Sequence, residues 1–157
     1  MSLAATEPLD PATQRQVAVD LFDHCWTLLR LPARTLDQDD ELLHAAHASR
    51  HHWGVVGTVA NRARGEWMCS RVYAELGRPE PALYHAYRAL ALVEAGGEGI
   101  ADWDHPAALE ALARAHLAAG DAASAAATAA AARSALAGVS DADDRAVVEQ
   151  DLAALGL

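Results

Sequence analysis

Histidine and carboxylate side chains recur at three- and four-residue intervals between Glu41 and His51, with His44 and His47 between them. In an α-helix this spacing places the four side chains on one face, within about a third of the circumference. An antiparallel helix packed in front of them would bring His24 level with this face. Imidazole and carboxylate groups on facing helices can bind zinc, iron or another transition metal. The candidate metal ligands are therefore His24, His44, His47 and His51.

A polar helix face is the alternative explanation of the same histidines. The preceding helix offers only Asp20, Asp23 and His24 as further ligands, and a second Glu-x-x-His pair is absent from the sequence. Neutral histidines also fill space on polar faces and hydrogen-bond to acids. We favour this interpretation, so no cofactor is predicted, and a transition metal such as zinc or iron is kept as the alternative.

Enzymatic motifs are missing from the sequence. It contains no glycine-rich phosphate loop, nucleophile elbow or His-Glu-x-x-His motif. The two cysteines, Cys25 and Cys69, lack a Cys-x-x-Cys spacing and stand in apolar helical stretches, which favours reduced thiols in a cytoplasmic protein. A non-enzymatic protein is favoured. The alternative is a small-molecule enzyme or sensor that encloses its ligand between the N-terminal helices and the Trp103 loop, with His51 or Glu66 as acid or base.

Charge and composition narrow the class of partner and of fold. The formal net charge is −10 and the pI is near 5.1, which disfavours binding to nucleic acid or to an anionic membrane. No stretch reaches the 18 consecutive apolar residues of a spanning helix. Hydrophobic residues make up 52% of the chain but aromatic residues only 5%, and alanine dominates the C-terminal half. This composition predicts an all-α protein with a core of small side chains.

Helical hydrophobic spacing runs through most of the 157 residues and is interrupted by turn signals. Asp10 and Thr58 are predicted N-caps, and Gly54 and Gly57 predict that the second helix ends near Trp53. About seven helices in one domain follow from this pattern. The predicted parts are a flexible tail (1–9), an N-terminal helical hairpin (10–57), a first repeat (58–95), an inserted loop (96–103), a second repeat (104–137) and a capping helix (140–157).

The two repeats share a pattern of small residues. In each repeat a glycine closes the first helix, and alanines follow five, nine and twelve residues later. These residues are Gly77, Ala82, Ala86 and Ala89 in the first repeat and Gly120, Ala125, Ala129 and Ala132 in the second. Together with Cys69-Ser70-x-x-Tyr73 and Leu112-Ala113-x-x-His116, they resemble the tetratricopeptide repeat (TPR).

The chain departs from the TPR pattern at several positions. Glu66 and Leu109 stand where the family has tryptophan, and neither repeat has the closing proline. The two glycines are 43 residues apart rather than 34, so the loop that carries Trp103 is an insertion. The resemblance implies antiparallel hairpins stacked as a short right-handed superhelix. A helical bundle without the repeat is the alternative arrangement.

The resemblance also implies a concave groove lined by the first helix of each repeat. The residues expected to line it or its mouth are Arg64, Trp67, Arg71, Trp103, Glu110 and Arg114. Because guanidinium groups fork onto carboxylates and phosphates, such a groove suits an acidic peptide or protein segment, or a small anionic ligand. The alternative is that the arginines pair with the chain's own acids, as Glu110 and Arg114 can at i,i+4. The alanine-rich face at 125–132 further suggests a homodimer.

Overall fold

Seven α-helices follow one another along residues 7–157, the part of the chain that the computed structural model describes. They are α1 (Pro11–Leu29), α2 (Leu36–Val56), α3 (Val59–Glu75), α4 (Pro79–Ala95), α5 (Asp104–Ala118), α6 (Ala122–Leu136) and α7 (Ala142–Ala153). This confirms the all-α prediction. Of the predicted tail, residues 1–6 lie outside the described part, and residues 7–9 are exposed and non-helical.

Side-chain caps fix where several helices begin. Asp10 accepts hydrogen bonds from the backbone N–H groups of Ala12 and Thr13 at the start of α1, as its position predicts. Thr35 and Thr58 each form a capping box at the start of α2 and α3. Caps of this kind stabilise a helix by about 1 kcal/mol each.

The turns after α3 and α5 have the same hydrogen-bond pattern. The N–H of Arg78 bonds to the carbonyl of Tyr73, and the N–H of Asp121 bonds to the carbonyl of His116, both at 2.9 Å. Gly77 and Gly120 adopt φ of 67° and 76°. Only glycine takes this left-handed conformation at little cost, so these glycines reverse the chain at corresponding places in the two hairpins.

The second helix is longer than predicted. It continues through Gly54 to Val56, and Gly57 is its C-cap. The prediction that Gly54 breaks the helix is wrong, because the preceding residue, Trp53, is buried and holds this turn in place. A mid-helix glycine costs only about 1 kcal/mol, which such packing offsets.

The helices form two layers. The odd-numbered helices contact each other in order, α1 with α3, α3 with α5 and α5 with α7, and each even-numbered helix packs outside its neighbours. Alanines at the predicted small positions, including Ala82, Ala86, Ala125 and Ala129, are fully buried between the layers. Small side chains there let helices approach closely. The handedness of a superhelix and membership of the TPR family stay predictions.

The last helix closes one end of the stack. Val148 and Leu152 of α7 are buried against Leu136 and Val139 at the end of α6 and Ala113 of α5. On its other side α7 leaves Val147 largely exposed. The structure therefore places α7 beside the inner layer, where it can form a wall. Within residues 7–157 no helix is long and apolar enough to cross a membrane.

Candidate binding groove

A cavity of about 810 Å³ lies across the inner layer, partly open to solvent. Its walls come from all four odd-numbered helices, from the loop before α5 and from Ala89 and Val93 of α4. Aromatic rings and small aliphatic side chains make up most of the surface, and three arginines and three aspartates supply the charges. The charged and aromatic members are Phe22, Trp26, Arg30, Arg64, Trp67, Arg71, Trp103, Asp104, Asp144 and Asp151. This cavity brings together four of the six residues predicted to bind a partner.

Arg71 contacts two neighbouring indole rings in the middle of the groove. Its guanidinium carbon is 5.0 Å from the ring centroid of Trp26 and 5.5 Å from that of Trp67. Trp67 and Arg71 are four residues apart on α3 and so share a face, while Trp26 comes from α1. The indole N–H of Trp67 is buried without an acceptor among residues 7–157, although buried polar groups are normally paired. Contact with both rings limits the positions open to the Arg71 guanidinium group.

Arg30 extends this stack. Its guanidinium carbon lies 5.6 Å from the ring centroid of Trp26. Arg30 was not predicted as a site residue, yet the sequence contains a signal for it. Trp26-x-x-x-Arg30, which ends at the C-cap of α1, has the same spacing as Trp67-x-x-x-Arg71 on α3. The two patterns bring both indoles, whose centroids are 5.8 Å apart, and both arginines into one cation–aromatic cluster.

Arg64 is held in a different way. Its Nε and Nη2 atoms donate to the two carboxylate oxygens of Asp104, each at 2.9 Å, and its guanidinium carbon lies 4.4 Å from the Trp103 ring centroid. Asp104 is only 3% exposed and also accepts from the N–H of Ala101. A bidentate pair with a buried carboxylate is strongly oriented. Arg64 therefore ties the inserted loop and the start of α5 to α3.

A single ion pair crosses the groove from Arg71. Its Nη1 atom lies 3.2 Å from a carboxylate oxygen of Asp151 on α7, and the two side chains are 19% and 23% exposed. This is the one hydrogen bond that Arg71 makes within residues 7–157. Since a guanidinium has five N–H donors, most of the Arg71 donors have no protein acceptor there.

Glu110 and Arg114 do not line the cavity, which corrects their predicted place in the groove. Glu110 is 1% exposed and accepts from Nη2 of Arg114, one turn further along α5. Burial raises the pKa of Glu110, and the positive charge of Arg114 only partly offsets this effect. Glu110 and Arg114 instead form the i,i+4 ion pair that was the alternative prediction for them. Sequence alone could not show which face of α5 is covered.

The four candidate metal ligands do not converge in the structure. His24 pairs with Glu41 at 2.7 Å on the surface, and both His44 and His51 are exposed. His47 instead faces α3, where its Nε2 lies 2.9 Å from the hydroxyl of Tyr73. No group of three or more metal-ligating side chains occurs in the described part of the chain. The four residues of the alternative metal site therefore do not lie together in the structure.

The register between α1 and α2 agrees with the sequence argument, so a different error explains the missing site. Ser49 donates to the carbonyl of Ala18, and the Cys25 thiol lies near the carbonyl of Leu42, as expected for the antiparallel pairing. The predicted rotation of α2 about its own axis was wrong. In the structure α2 is rotated so that His47 faces α3 and not His24.

His47 belongs to a half-buried polar cluster between α2, α3 and α4. In this cluster Glu66 accepts from Nε of Arg50 at 2.8 Å and from Nδ1 of His85 at 2.6 Å. The ring of His85 stacks on Tyr73 at 5.6 Å between centroids and meets the ring of His47 at 5.3 Å. Each polar group therefore has a partner on another helix, which joins the two layers.

The environment of Glu66 differs from that of a catalytic acid. Burial acts to raise the pKa of Glu66, but the hydrogen bond from His85 and the charge of Arg50 outweigh it and lower the pKa. Neither Glu66 nor His51 lines the cavity. In the alternative hypothesis, one of these two residues acts as acid or base on an enclosed ligand. A ligand in this cavity would not contact either of them.

Comparison of the chain with protein-family models, curated proteins and solved structures finds no match. The resemblance to the TPR rests on the residues quoted above.

Proposed function

We propose that this chain is a non-enzymatic, TPR-like binding module whose groove holds a short segment of a partner protein. The segment combines apolar side chains with a carboxylate group. The observation that carries this proposal is where the aromatic residues lie. Phe22, Trp26, Trp67 and Trp103, half of the eight aromatic residues of the chain, surround one cavity.

The four rings lie at the edge of the core, where each is only partly buried against it. About half of the fully buried apolar residues are alanines, and the others include larger side chains such as Leu42 and Met68. Large rings at a cavity edge leave apolar surface in contact with water, which a ligand can cover. Tryptophan and arginine are also the residue types that most often dominate the binding energy of protein interfaces.

The charges of the groove refine the predicted ligand. Arg30, Arg64 and Arg71 are balanced by Asp104, Asp144 and Asp151, so a strongly acidic segment gains little from the net charge. An apolar segment with a single carboxylate fits better, because it covers the rings and uses the open donors of Arg71. Two free, buried cysteines fit a cytoplasmic location, which is part of this proposal.

Peptide selection tests the proposal. Random peptides are selected on the wild-type protein, and their affinities are measured by fluorescence polarisation. We expect sequences that share an aromatic or aliphatic residue and one acidic group or free C-terminus. Trp67→Ala should weaken binding at least about tenfold, since buried tryptophans are frequent hot spots. Arg88→Gln, on the exposed side of α4, is the control for Arg71→Gln.

Two results would contradict the proposal. One is a set of selected peptides that bind Trp67→Ala and Arg71→Gln as tightly as wild type. The other is a loss of peptide affinity in Arg88→Gln that equals the loss in Arg71→Gln. Both require that circular dichroism shows the variants to be folded.

A small carboxylic acid with an aromatic or aliphatic body is the second candidate ligand. The cavity volume of about 810 Å³ lies within the range of small-molecule sites, roughly 300–1,000 Å³. Three of the four tryptophans line the cavity, so intrinsic fluorescence reports on either ligand. Micromolar binding of such acids, with no peptide selected, would favour the small-molecule candidate.

A further inference from the structure

We propose that Arg71 is the carboxylate-recognition residue of the groove and that Asp151 of α7 occupies this subsite as an internal competitor. The inference rests on the proposed binding function and names the chemistry of the ligand's anchor. In this arrangement a ligand carboxylate replaces the Asp151 carboxylate on Arg71. The groove therefore holds its own weak inhibitor.

The first support is the preorganisation of Arg71. Two indole rings contact its guanidinium group, at 5.0 Å and 5.5 Å from the ring centroids, and limit its movement. Its remaining N–H donors have no acceptor within residues 7–157. An oriented guanidinium with open donors accepts a carboxylate at a small entropic cost.

The second support is the weakness of the bond to Asp151. It is a single contact of 3.2 Å between partly exposed groups, and Asp151 makes no other side-chain hydrogen bond within the described residues. A single contact of this kind is weaker than a bidentate arginine–carboxylate pair. The bidentate pair between Arg64 and Asp104, which is nearly buried and has a further backbone donor, lacks these properties.

The third support is the charge around the pair. Asp151 lies close enough to buried Glu110 to raise its pKa further, whereas Arg71 acts in the opposite direction. Asp151 is thus attracted by Arg71, and it disfavours the charged form of Glu110. Exchange of its carboxylate for a ligand carboxylate leaves the net charge at Arg71 unchanged and moves the Asp151 charge out towards water.

A pair of fluorescent probes tests the inference. 8-Anilinonaphthalene-1-sulfonate carries an anion on an aromatic body, and N-phenyl-1-naphthylamine has the same body without the anion. The sulfonate stands in for the carboxylate. We expect Asp151→Asn to tighten binding of the anionic probe roughly two- to fivefold, as loss of a partly exposed competing ion pair implies. Binding of the neutral probe should change less than about twofold.

Asp144→Asn is the matched control. Asp144 lies on the same helix and lines the same cavity, but its side chain does not contact Arg71. Both substitutions remove one negative charge, so a general charge effect would appear in both. Arg71→Gln should weaken the anionic probe and leave the neutral probe unchanged. Thermal unfolding of each variant checks that the probes report on folded protein.

Several outcomes would overturn the inference. One is an equal gain of affinity for the anionic probe in Asp144→Asn and Asp151→Asn. The others are undiminished binding of this probe to Arg71→Gln and no binding of it to Asp151→Asn. If the affinity for selected peptides still falls in Trp67→Ala in any of these cases, the proposed function of the groove stands. Only the role of Arg71 and Asp151 is then wrong. If no peptide depends on Trp67, the proposed function fails as well.

Discussion

Replacement of Glu66 by glutamine is the sharpest test of the polar cluster. Glu66 is buried and accepts one hydrogen bond from Arg50 and one from His85. Glutamine has nearly the same shape and can still accept from Arg50. Its amide group then faces His85, which must act as acceptor in its other tautomer. The substitution therefore keeps the packing and removes the carboxylate charge, while the guanidinium group of Arg50 stays charged.

The size of the effect follows from the difference between charged and neutral hydrogen bonds. Bonds to charged groups contribute about 1.5–3 kcal/mol each and neutral ones about 0.5–1.5 kcal/mol. The weaker bond to His85 and the loss of the counter-charge beside Arg50 together give a loss of about 2 kcal/mol in the free energy of unfolding. For a chain of this size, that loss lowers Tm by about 4–8 °C.

Urea denaturation followed by circular dichroism at neutral pH measures this loss. The control is Glu75→Gln, because Glu75 is about half exposed and lies 3.5 Å from Arg34, which keeps a closer partner in Asp39 at 2.6 Å. Loss of this half-exposed charge should cost less than about 0.5 kcal/mol. If Glu66→Gln costs no more than Glu75→Gln, the cluster does not stabilise the fold in the way argued here.

Three further predictions concern pH, glycines and metals. Burial, followed by the charge of His85, lowers the pKa of His47, so the folded state prefers neutral His47. Tm should therefore fall as the pH drops below about 6.5. Calorimetry from about pH 7.5 to 5.5 measures this dependence, which His47→Gln should flatten. Gly77→Ala should destabilise by about 1 kcal/mol because φ is +67°, whereas Gly54→Ala should stabilise by up to about 1 kcal/mol, since its Cβ meets only the flexible end of Arg50; equal effects in urea denaturation would contradict this. Elemental analysis of untagged protein should find well under one zinc or iron per chain, and one metal that is lost in His44→Ala/His47→Ala would restore the discarded site.

Local signals in the sequence predicted much of the fold. The cap at Asp10 and the glycine turn at Gly77 act within a few residues, so their chemistry is visible in the sequence. The antiparallel register of α1 and α2 could also be predicted from the sequence, because a short connection between two helices leaves them little freedom to slide past each other. The seven-helix, all-α architecture rests on such local features.

The functional surface was predicted less completely, because it depends on how each helix is rotated. Trp67 and Arg71 were placed in the groove correctly in relation to each other, since i,i+4 residues always share a face. His47 and Glu110 were misplaced because packing with other helices sets the rotation of α2 and α5. For Arg30, the repeated Trp-x-x-x-Arg pattern was a signal that the sequence argument did not use.

Helix α3 connects the two polar systems of the molecule. Glu66 and Trp67 are adjacent, and a rotation of 100° per residue sends the carboxylate towards α2 and α4 and the indole into the groove. The cluster around Glu66 therefore holds α3 from outside, while the groove forms on its inner face. A ligand that orders Trp67 should stabilise the whole fold by an amount set by its concentration and affinity. Loss of Glu66 should lower stability without changing affinity for the folded state, provided that α3 keeps its position. Equal losses of stability and affinity in Glu66→Gln would mean that the cluster also sets the position of α3.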